Sequence, residues 1–179
     1  MKKLFFIPAV FVTLAVTGCG NSDTNNSTAD TIPQGMVAAD LSKYEIPVLI
    51  NVPDSTIGPL VITADPQGGA NVNVGKNFCI NIVEGEGNME IRKNDVKNDA
   101  IRKFIKYVIE DRNTIVWEWQ IEGQTSEFHF YSIVKAGDKS FEVSDVAVGE
   151  EIFSEKSVVQ MLDAARSIRL KEAVKKEGV

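Results

Sequence analysis

From Tyr44 onward, apolar and polar positions alternate with a period of two. Ile46, Val48, Ile50 and Val52 alternate with Pro47, Leu49 and Asn51, which predicts a strand starting near its proline. Pro53-Asp54-Ser55-Thr56 and Ile57-Gly58-Pro59 are turn chemistry, and Leu60-Val61-Ile62-Thr63 predicts a second strand. A short extended piece at Val72–Val74 and a firmer strand over Phe78–Val83 follow, before Glu84-Gly85-Glu86-Gly87-Asn88 breaks the chain.

The period then changes. Val96, Ala100, Ile101, Phe104, Ile105 and Val108 recur at helical spacing, with Lys97, Arg102, Lys103 and Lys106 opposite. This pattern predicts an amphipathic helix over 94–110, capped by Asn94 or Asp95 and solvated on its basic face. Three strands are predicted next, over 114–121, 127–135 and 140–148, with a tight turn at Gly137-Asp138. Val158, Val159, Leu162, Ala165 and Ile168 predict a closing helix over 155–169, with Ser154 as its cap. The expected fold is therefore α+β: an antiparallel sheet of about six or seven strands with one long middle helix and a C-terminal helix packed on it. The domain is expected to span 41–170, followed by a charged tail over 171–179.

What precedes this region has a different character. Met1-Lys2-Lys3 supplies a positive start and Leu4–Val16 an apolar run of signal-peptide length. That run is shorter than the roughly 20 apolar residues a membrane-spanning helix needs. Residues 19–40 are dominated by Asn, Ser, Thr and Asp and read as a tether, since they bury too little apolar surface to offset their ordering entropy. As a coil of ~20 residues it would reach on the order of 25 Å.

Charge and cysteine content narrow the function classes. The whole chain carries a formal net charge of −6. Without the first 18 residues it loses two of its 19 Lys and Arg, leaving 17 against 25 acidic residues and a net charge near −8. That disfavours nucleic acid and flat adsorption to anionic lipid. Cys79 is left with no intramolecular disulfide partner once Cys19 is committed elsewhere, and its Phe78-Cys79-Ile80 setting suits a half-buried structural thiol. One histidine and no spare cysteine make a poor zinc or copper set, and no metal or cofactor is expected.

The candidate sites are few. Trp117 and Trp119 lie two apart on one strand face between Ile115 and Ile121. Such a row can line a groove for an apolar or glycan ligand, or can simply be core beneath a helix. His129 shares a face with Tyr131 and Ile133. As a general base it would need an orienting acid and a nucleophile, and no motif assembles them. Asp65-Pro66-Gln67-Gly68-Gly69 lacks the lysine and hydroxyl of a phosphate loop, and Glu84–Glu90 lacks the ordered ligand set of a calcium loop. No catalytic residues are assigned.

Val16-Thr17-Gly18-Cys19 resembles the lipobox of bacterial prolipoproteins, with Thr17 standing in for a commoner small residue. The resemblance implies cleavage before Cys19, lipidation of that cysteine and, with several acyl chains, stable anchoring. Gly20 stands where Asp would resemble an inner-membrane retention signal, so the outer membrane is the expected address, on its periplasmic or surface face. The order of elements also resembles the PsbP-like fold, through Tyr44 leading to Ile50-Asn51-Val52-Pro53 and through the closing Ala165-Arg166-Ser167-Ile168-Arg169. Asp54-Ser55-Thr56 and Ile168 depart from that family's aromatic positions. This second resemblance implies a non-enzymatic accessory module with a protein partner in the envelope. The alternative is a small-ligand binder at the Trp117/Trp119 face.

Overall fold

A computed structural model describes residues 32–171, apart from 67, 148, 150 and 151. It is an α+β domain with two antiparallel sheets. The smaller has β1 (Met36–Asp40), β2 (Val48–Pro53) and β10 (Arg169–Leu170) in the order β1-β2-β10. The larger has β3 (Leu60–Ala64), β4 (Ala70–Val74), β5 (Cys79–Glu84), β6 (Lys103–Glu110), β7 (Thr114–Gln120), β8 (Glu127–Ala136) and β9 (Lys139–Asp145). Its order is β3-β4-β5-β9-β8-β7-β6. Helix α1 (Met89–Lys97) and helix α2 (Glu155–Arg166) complete the domain. No described helix is long and apolar enough to cross a membrane.

The two faces of the large sheet are packed differently. Val72, Ile80, Val143, Phe130 and Val116 belong to the main core, which also holds Val158, Met161 and Leu162 of α2 and Val48 and Ile50 of β2. Ser154 caps α2 as expected, its Oγ accepting from the Ser157 N–H. The opposite face carries a smaller cluster, in which Ile115, Trp117 and Tyr131 meet Met89 and Val96 of α1. Burying a side chain of this size stabilises by about 1.5–3 kcal/mol, so the main core carries most of the apolar energy.

The long middle helix is replaced by two elements. Helix α1 begins at Met89, where the Asn88 side chain accepts from the Ile91 N–H, and it ends at Lys97. Asp99 Oδ1 then accepts from the N–H groups of Ile101 and Arg102, turning the chain into strand β6. Two bulges, between Phe104 and Lys106 and between Tyr107 and Ile109, interrupt the pairing of β6 with β7. Each bulge adds a residue, so Phe104, Tyr107 and Glu110 face one side at intervals of three. That spacing imitates a helix in the sequence.

Other boundaries also move. Met36–Asp40, expected in the tether, form β1 and pair with Leu49–Pro53. The closing helix stops at Arg166, because the Ser167 hydroxyl bonds back to the Ala164 carbonyl at 2.6 Å, and Arg169–Leu170 pair with β2. The Lys171 ammonium reaches Asp40 Oδ2 at 2.6 Å, so the two ends of the described chain meet on the small sheet. The ends of the large sheet differ in kind. At β6, Lys103 and Lys106 flank the bulges. At β3, an uncharged strand with Leu60 and Val61 exposed, the Tyr44 hydroxyl donates to the Ile62 carbonyl at 2.6 Å.

Candidate functional site

Strand β8 alternates sides, so His129 stands across from Trp117 on β7. The imidazole stacks on Trp117 at 5.6 Å between centroids and tilts against Trp119 at 5.2 Å. Asp145, at the end of β9, divides its carboxylate. One oxygen lies 2.7 Å from His129 Nδ1, and the other accepts from the Phe130 backbone N–H at 2.7 Å. On the far side of the ring, Nε2 lies 3.4 Å from Glu127 Oε2. That same oxygen is 3.5 Å from Arg102 Nε, and the Arg102 guanidinium lies 5.1 Å from the Trp119 ring centroid.

Charge and burial act in opposite directions on His129. Burial disfavours the imidazolium, but the hydrogen bond and charge of Asp145, with a further contribution from Glu127, outweigh it and raise the pKa above the ordinary histidine value. Asp99, which starts the turn into β6, is held below the usual carboxylate value by the N–H groups of Arg102 and Ile101. A cleft of about 270 Å³ opens beside these groups, lined by Arg102, Gln124, Glu127 and His129 with Ile152 and Phe153.

The arrangement has half of what a general base needs. Asp145 orients Nδ1, as an acid partner would. Nε2, which would have to exchange a proton with a nucleophile, faces the Glu127 carboxylate instead. The ring therefore ties β7, β8 and β9 together, stacked on Trp117 and held between the carboxylates of Asp145 and Glu127. Cys79 is buried, with its thiol pKa pushed up first by burial and then by the charge of Asp145. Among the described residues, no group of three His, Cys, Asp or Glu side chains is placed to hold a metal ion.

The structure brings Trp117 and Trp119 together, as their spacing suggested, and sets His129 against both, which the sequence reading did not foresee. It does not leave the tryptophans as an open groove. Helix α1 covers them, Trp117 is only 4% exposed, and Trp119 Nε1 donates to the Val96 carbonyl at 2.8 Å. Asp145 and Glu127 escaped sequence reasoning as partners of His129, although a signal existed. The two-residue turn Gly137-Asp138 sets Ala136 opposite Lys139 and Tyr131 opposite Ser144, and one step further brings Phe130 beside Asp145. Cys19, the predicted signal segment, most of the predicted tether and residues 172–179 lie outside the described residues. No protein-family model, curated protein or solved structure matches the chain.

Proposed function

We propose that this chain is a lipid-anchored, non-enzymatic binding module of a bacterial cell envelope, held by Cys19 and presenting its α+β domain to a partner. The observation that carries the reading is Val16-Thr17-Gly18-Cys19 at the end of a short apolar run behind two lysines. The clamped geometry of His129 supports a structural rather than a catalytic use of the one histidine.

The test is incorporation of an alkyne-tagged palmitate in cells. The wild type is expected to label and to sediment with membranes, while Cys19→Ala does neither. Equal membrane retention of both forms removes the anchor from the proposal. Crosslinking in intact cells then tests the partner: an anchored wild type should give a discrete protein adduct, and its absence from labelled, correctly located protein removes the accessory role.

A further inference from the structure

The aromatic layer beneath α1 contains polar groups that the closed fold leaves unused. Trp117 is 4% exposed, yet its Nε1–H has no hydrogen-bond partner among the described residues. The buried hydroxyl of Tyr107, its register partner on β6, is in the same condition. Buried polar groups are nearly always paired, and an orphan in a native fold calls for an explanation. Two orphans side by side in one aromatic layer suggest a shared one.

The cover over this layer is slight. Helix α1 has nine residues, of which Met89 and Val96 are buried while Ile91 is 59% exposed. Its remaining attachments are polar and close to water. Lys93 pairs with Glu110 at 2.8 Å, Lys97 sits over the Tyr107 ring, Arg92 over the Tyr131 ring, and Trp119 Nε1 holds the Val96 carbonyl. An element with so little apolar burial belongs to the low-stability end of a domain and opens locally at modest cost.

We propose that α1 is a lid over a glycan-binding surface formed by Trp117, Trp119 and Tyr107, which takes a neutral sugar ring. This deepens the binding-module reading and rests on it. Aromatic faces stack on the apolar face of a pyranose ring, and the indole N–H and phenol then meet ring hydroxyls. A purely apolar ligand would leave both orphans unpaired, which favours a sugar.

Fluorescence titration of the full chain in mild detergent with cellotriose and with the trimer of N-acetylglucosamine tests the proposal. Saturable change with at least one of them is expected. Trp117→Phe keeps a ring but drops the N–H, which makes no bond in the closed form. Its thermal midpoint should fall by several degrees, because the smaller ring leaves a void in the layer, while the sugar affinity of the folded chain falls about tenfold. Lys93→Ala, which frees α1 from Glu110, should tighten binding by enlarging the open population. No saturable response to either sugar, or undiminished affinity in a folded Trp117→Phe chain, overturns the proposal. A chain that ignores both sugars but retains a crosslinked protein partner sinks the glycan site alone; one that does neither sinks the binding module as well.

Discussion

Two residues show how tightly the chemistry of the large sheet depends on local geometry. Gly87 has φ of +60°, and a Cβ built there would lie 2.5 Å from the Tyr131 hydroxyl, which itself bonds Glu142 at 2.6 Å. Replacement with alanine strains the backbone and pushes on a buried hydroxyl at once. Gly87→Ala should therefore destabilise by roughly 1–3 kcal/mol in urea unfolding, whereas Gly123→Ala, with open space around its Cβ, should lose only the smaller backbone share. His129 sets a pH dependence whose sign follows from its raised pKa. The folded state binds the proton more tightly, so the stabilisation is complete below the unfolded value of about 6.5 and is lost as pH rises through the folded pKa. The gap between the urea midpoints of wild type and His129→Gln should accordingly stay constant below about pH 6.5 and close as pH rises above it. A gap independent of pH would show that the imidazolium contributes nothing.

Elements differ in how plainly the sequence announces them. Strands β7, β8 and β9 are legible because the two-residue period survives the packing, in Ile115, Trp117 and Trp119 on one face of the sheet and in Phe128 and Phe130 on the other. Helix α2 is legible for the matching reason, and Ser154 marks its start. Ser154→Ala should cost about 1 kcal/mol, visible as a thermal midpoint lower by roughly 2–4 °C for a domain of this size. Strand β6 is disguised, because its bulges convert a period of two into steps of three. Strand β1 is hidden by size: Met36-Val37-Ala38-Ala39 offers little apolar bulk, and only its pairing with β2 makes it a strand. The site divides in the same manner. The shared face of Trp117 and Trp119 follows from spacing along one strand, whereas the Asp145–His129 contact joins two strands and depends on the exact turn between them.

Across the whole molecule, the small sheet acts as a clasp that joins residues from both ends of the domain. The Arg169 guanidinium donates to Asn51 Oδ1 at 3.0 Å, the Ser167 hydroxyl accepts from the Asn51 N–H at 2.8 Å, and Lys171 reaches Asp40. A chain ending at Arg166 would lose all three contacts along with β10. It should unfold at lower urea with an unchanged m value if the rest stays cooperative, and a second, earlier transition would instead show that the clasp melts separately. The unequal ends of the large sheet bear on how two copies could pair by mistake. Lysines and bulges make β6 a poor template, so edge-on misassembly of the large sheet enters at β3. Because two copies meeting there would consume each other's open edge, such a mistake would stop at a pair and could not propagate into a fibre. Part of that edge is already occupied, because the Tyr44 hydroxyl holds the Ile62 carbonyl that a second copy would need.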